Sequence, residues 1–125
     1  GYKPVKDAIT EKPVDKNLTL VIYKDNNYTS VAYDCTYAQV HITVEKVKGN
    51  DRQIVSDTIF DAKQLKEYPL ADKAYIQEVT IPNVFANKEQ VEVKCLLTYY
   101  SNGSRLQMLN SWVLTGENER LKIGI

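Results

Sequence analysis

The chain has 125 residues, and Lys plus Arg equals Asp plus Glu at 16 each, so it amounts to one domain without a net field. That balance excludes a general attraction to nucleic acid or to an acidic membrane, and no apolar run is long enough to span a bilayer. Nine tyrosines against one Trp and one Met favour strands and turns over helices.

Residues 1–17 read as an extended leader or linker. Pro4, Pro13, alternating charges and scattered apolar side chains suit a tether or a loosely added edge strand. Such a segment would fit downstream of a removed signal peptide or a lipid anchor. A single domain is expected over 18–125.

Residues 18–24 alternate as a strand, closed by the turn-forming Asp25-Asn26-Asn27. From 28 to 47 the chain is β-prone without Gly or Pro, and its phase changes on the way. Apolar residues occupy odd positions up to Tyr37, then even ones at Val40, Ile42 and Val44. A period of two changes phase only through an inserted residue. We therefore expect strands at 28–36 and 38–47, with a bulge or a crossing between sheets near Tyr37-Ala38-Gln39. Lys48-Gly49-Asn50-Asp51 turns the chain, and 53–60 return as a shorter strand. Asp61 is placed to cap a short helical turn over 61–68, ended by Pro69. The β pattern resumes at 75–81 and breaks at Pro82-Asn83, after which Val84 and Phe85 plug the end of the core.

The clearest segment follows. Two alternating apolar runs flank Asn102-Gly103, a pair that tolerates positive φ at both centres of a type I′ hairpin turn. Counting outward, Tyr99 faces Leu106, Leu97 faces Met108, Cys95 faces Asn110, Val93 faces Trp112 and Val91 faces Leu114. Four of the five pairs are apolar on both sides, so turn chemistry and pattern give one register. The tail, 117–125, adds an edge strand through Leu121, Ile123 and Ile125, or it frays.

Cys35 shares a face with Val31, Tyr33 and Tyr37, and Cys95 with Val91, Val93, Leu97 and Tyr99. Both point to the expected core. A Cys35–Cys95 disulfide would stabilise by roughly 4 kcal/mol through the loop it closes. Two buried free thiols, behaving as small hydrophobes, are the alternative. Neither cysteine belongs to a C-x-x-C pattern, so zinc or redox chemistry through them is not indicated.

Seven short strands separated by turn signals describe an all-β sandwich of seven to eight antiparallel strands. The run strand, Ile81-Pro82-Asn83-Val84, strand, Asn102-Gly103, strand resembles the E-F-G portion of immunoglobulin-like and fibronectin type III-like domains. Cys35 and Cys95 then sit near the B and F positions of that family's inter-sheet bridge. Two positions depart from it: Trp112 falls in the last strand, and Val93 stands where the corner Tyr belongs. The resemblance covers 18–115 and implies an immunoglobulin-like module of a bacterial surface or periplasmic protein. A transthyretin-like strand order stays open.

No constellation indicates catalysis. His41, the sole histidine, projects from the face opposite Val40 and Ile42, and it has no Ser, Cys or second His beside it in sequence. The carboxylates, including Asp34, Asp57 and Asp61, are dispersed. Asp25-Asn26-Asn27 lacks the ligand spacing of a calcium loop. The expectation is thus of no enzyme, no cofactor and no metal. Tyr100 and Asn102, near the hairpin tip, are the tentative binding surface, since exposed aromatics offer rigid contact area to proteins and stack on sugars. Sequons at Asn17, Asn27 and Asn102 add weak support for an exported setting. The leading expectation is a secreted or surface-anchored module for adhesion, assembly or scaffolding, with a protein or glycan partner. Its location is periplasmic, cell-surface or extracellular. A carbohydrate-binding module using exposed tyrosines is the alternative.

Overall fold

Alternation of apolar and polar residues at a period of two commits most of this chain to extended backbone with one dry face. A computed structural model describes residues 11–23, 37–62, 74–101 and 103–125, and shows seven strands. In chain order they are β1 Val14–Tyr23, β2 Tyr37–Lys48, β3 Asp51–Asp61, β4 Tyr75–Val84, β5 Gln90–Ser101, β6 Ser104–Leu114 and β7 Asn118–Gly124. Two sheets result, one ordered β4-β1-β7 and the other β3-β2-β5-β6. Leu18, Leu20 and Ile22 of β1, Val79 and Ile81 of β4 and Ile123 of β7 close over Val40, Ile42 and Val44 of β2 and Val91, Val93, Cys95 and Leu97 of β5. Each such side chain contributes about 1.5–3 kcal/mol by leaving water. The protein is an all-β, two-sheet sandwich.

The β5–β6 ladder has the register read from its turn: Tyr99 opposite Leu106, Leu97 opposite Met108, Cys95 opposite Asn110, Val93 opposite Trp112 and Val91 opposite Leu114. Gly103 supplies the positive φ, +79°, that this turn needs. Val84 plugs the core as expected, and Phe85 is half-buried beside it.

Other elements differ from expectation, each for a physical reason. β1 begins at Val14, inside the segment read as leader, and it is the central strand of its sheet. Charged neighbours hid that start, because Asp15 and Asn17 alternate outward while Lys16 joins Leu18 on the inward side and is itself buried. β4 runs through Pro82 to Val84. One extra residue of β4 bulges out there against β1, between the pairs Val14–Val84 and Lys16–Ile81. Asn83 takes a positive φ of 55°, and its N–H donates to Asp15 Oδ1 at 3.0 Å. β4 is an outer strand of the sheet, where a proline's missing N–H costs no ladder bond.

The tail does form an edge strand, but it pairs with β1 in parallel, from Asn17–Asn118 to Tyr23–Gly124. The sandwich is therefore not wholly antiparallel. Asp61 ends β3, Ala62 begins a helical turn directly after it, and 63–68, the rest of the expected turn, lie outside the described residues. So do the expected turn at 25–27, the strand at 28–36 and Cys35. No helix among the described residues is long and apolar enough to cross a membrane.

Candidate functional site

The outward face of the four-stranded sheet holds the densest grouping of polar and exposed apolar side chains described. Register places them in rows across the strands. In one row Ile59 of β3, His41 of β2, Leu96 of β5 and Leu109 of β6 are neighbours. The next holds Asp57, Thr43, Lys94 and Ser111, and a third holds Ile54, Glu45, Glu92 and Val113.

A bulge in β3 makes this face. Lys48 pairs with Asp51 and Glu45 with Ile54, but Val44 pairs with Ser56, so Val55 is the extra residue. Counting straight back from the turn would set Asp57 against Ile42, inside the core. The bulge moves it opposite Thr43 and brings Phe60 inward, where its ring stacks on Tyr75 at 4.7 Å. Asp57 Oδ1 is hydrogen-bonded to His41 Nε2 and accepts from Thr43 Oγ1 at 3.4 Å. Val40 and Ile42 set His41 outward, as the alternation predicts, but the alternation carries no sign of its carboxylate partner. Only a signal for the bulge would have joined the two, and none precedes Val55 in the chain.

Charges at the centre of the face neutralise one another. Arg52 Nη1 lies 3.1 Å from Glu92 and 3.7 Å from Glu45, and Lys94 Nζ lies 3.1 Å from Glu45. Glu45 is buried beneath these cations, which offset the cost of taking its side chain out of water. Around this centre the side chains are bare hydrocarbon: Ile54 is 60% exposed, Ile59 55%, Leu109 62% and Val113 53%. Exposed hydrocarbon thus stands on both outer strands, at Ile54, Ile59, Leu109 and Val113, on either side of the ion pairs.

His41 and Asp57 sit on an open sheet, and the two clefts described are lined elsewhere, by residues within 46–49 and 83–90. Neither cleft is lined by His41 or Asp57, so among the described residues no pocket holds a substrate against the pair. No cluster of three or more His, Cys, Asp or Glu able to hold a metal occurs among the described residues.

Tyr100 lies on the same outward face, opposite Arg105 of β6, and is 36% exposed. Asn102 lies outside the described residues. Tyr75, also exposed, belongs to the other sheet, so the two rings do not form one platform. Cys95 is a free, buried cysteine, and burial pushes its thiol up from 9.0 to about 11. That matches the free-thiol alternative at its end of the expected Cys35–Cys95 pair.

The fold and this face define a β-sandwich that presents a mixed apolar and polar sheet surface. No protein-family model and no curated protein matches the chain. Among solved structures, the crystal structure of a fimbrial assembly protein from Parabacteroides distasonis ATCC 8503 is similar over 92% of this chain and 53% of that one. Sequence identity is 14% and the TM-score 0.28, and the chain spans about half that protein's length. A likeness this slight carries no argument about fold or function.

Proposed function

We propose that the chain is a non-enzymatic, immunoglobulin-like module of a bacterial envelope or surface protein, serving adhesion, assembly or scaffolding by presenting the outer face of β3-β2-β5-β6 to a protein partner. The observation that carries this is the set Ile54, Ile59, Leu109 and Val113 bordering a self-neutralised centre. Apolar groups exposed along both borders of one face favour burial against another protein, and a satisfied polar centre sets register at little desolvation cost. Protein surfaces suit such a face better than small ligands do, because it is open and two-sided. Tyr100 and Arg105 extend it toward the hairpin tip.

The test is site-specific photo-crosslinking in cells that make the full-length protein. A probe replacing Leu109 should give a discrete protein adduct in the cell envelope. The same probe replacing Glu78, on the outer side of the other sheet, should give none. Equal labelling at both positions, no adduct at 109, or a cytoplasmic location would overturn the proposal.

A further inference from the structure

A sheet edge is a template for another strand unless something in it prevents pairing, and three of the four edges described carry such a device. β3 is broken by its bulge at Val55 and carries Asp51, Arg52, Asp57 and Asp61. β4 holds Pro82, a bulge against β1 and the positive φ of Asn83. β7 has only seven residues, and Glu119, Arg120 and Lys122 are among them. β6 has none of these. Its 11 residues contain no Gly, no Pro and one charge, Arg105, and its ladder to β5 is unbroken. No strand pairs with its far side among the described residues.

The hairpin turn fixes which backbone groups that far side presents. Ser101 and Ser104 flank a two-residue loop and form a hydrogen-bonded pair, so 104, 106, 108, 110 and 112 turn their N–H and C=O toward β5. Residues 105, 107, 109, 111 and 113 turn theirs away from it. Side chains along the edge are also short of cover. Leu106, Leu109 and Val113 are exposed, and Met108 and Trp112 are half-buried.

We infer that β6 pairs antiparallel with β6 of a second copy about a twofold axis at Leu109, joining two four-stranded sheets into one. Full overlap of Ser104–Leu114 with itself sets Leu109 against Leu109, Leu106 against Trp112, Met108 against Asn110, Gln107 against Ser111 and Arg105 against Val113. The backbone groups turned away from β5 then meet one another along the whole strand, and the exposed Leu106 gains an aromatic neighbour. Moving the axis to Met108 sets Leu106 against Asn110. Moving it to Asn110 sets Leu109 against Ser111 and Leu106 against Leu114, which is already buried. Strand length and side-chain pattern therefore give the same register. Charge agrees with it. Arg105 looks across Val113 of the second copy toward Glu92 behind it, and Lys94, behind Ser111, looks toward Gln107 and Thr98. No like charges meet at the seam, whose pattern matches itself by symmetry as a twofold interface must. The seam uses the edge of β6 and leaves the outward face of the sheet open, so this inference and the sheet-face proposal can fail separately.

The test is sedimentation equilibrium of the chain and its variants over a concentration series. The wild type should sediment as a dimer. Ser111→Pro removes an N–H that makes no bond to β5, so circular dichroism should report an intact fold while dimerisation weakens roughly tenfold or more. Leu109→Lys and Leu109→Glu each set like charges against one another at the axis, and each should be monomeric where the wild type is a dimer. An equimolar mixture of the two should restore the dimer. A wild type that stays monomeric at about 1 mM would overturn the inference. So would a dimer that both Leu109 variants leave intact, or a mixture of them that fails to pair. Leu109 is exposed, so its variants decide the matter even where Ser111→Pro folds poorly.

Discussion

The two hairpins of the four-stranded sheet obey different rules. β5–β6 is in simple register from Ser101–Ser104 to Val91–Leu114, whereas β2–β3 breaks register once, at Val55. Both begin at a turn containing a positive-φ glycine, Gly103 in one and Gly49 in the other. The difference arises further along the strands, where the first ladder can continue without conflict and the second cannot. An uninterrupted β3 would drive Asp57 into the core, and the bulge trades one unpaired residue for a carboxylate kept at the surface. Turn chemistry therefore sets where a hairpin starts, and burial decides whether its count survives.

Single-residue deletions would break this comparison most sharply. Deleting Asn110 from β6 should turn Trp112 and Leu114 from the inward to the outward side. Denaturant unfolding should then report a loss of roughly 2–4 kcal/mol, because two apolar side chains lose cover. Deleting Val55 should instead join Ile54 to Ser56 in a continuous ladder and cost only about 1 kcal/mol, the partial burial of one valine. Similar losses from the two deletions would show that the bulge is not a spare residue.

Cys95, on the inward side of the regular hairpin, provides a second measure. Its folded thiol titrates at about 11 against an ordinary 9.0, so the folded state keeps its proton longer than the unfolded one. The stability this represents is whole below pH 9 and is lost as pH rises toward 11. The difference in unfolding free energy between the wild type and Cys95→Ala should shrink by about 2–3 kcal/mol over that window. A pH-independent difference would mean that the thiol is more open to water than its position indicates. The smallest effects belong to the turns. Gly49→Ala and Gly103→Ala meet no atom within 4 Å, so each should cost only the backbone strain of positive φ, about 1 kcal/mol in thermal unfolding.

These contrasts also explain how much the sequence disclosed. The register of 91–114 was legible because Asn102-Gly103 and the apolar alternation are independent signals that agree. The start of β1 is hidden in the sequence because Lys16, a charge on the inward side, reads as solvent-facing. The continuation of β4 past Pro82 is hidden too, because an outer strand tolerates a proline that a central one would not, and strand order is invisible along the chain. The direction of β7 was hidden for the same reason. At the candidate site, the outward side of His41 followed from Val40 and Ile42, but its bond to Asp57 did not. Tyr100 is exposed, whereas nothing in the pattern marks the exposed hydrocarbon at Ile54, Ile59, Leu109 and Val113, since each is simply one outward residue of a strand.

The pairing of β1 has a kinetic consequence. Its hydrogen-bonded neighbours are remote: Asn17 accepts from Thr80, 63 positions away, and donates to Asn118, 101 positions away. Closing loops of that size is entropically slow, so β1 finds its place only after both distant strands have been synthesised and brought together. A nascent chain would hold β1 with both edges bare in the meantime. During that interval its unpaired N–H and C=O groups make it the part of the fold most open to mispairing.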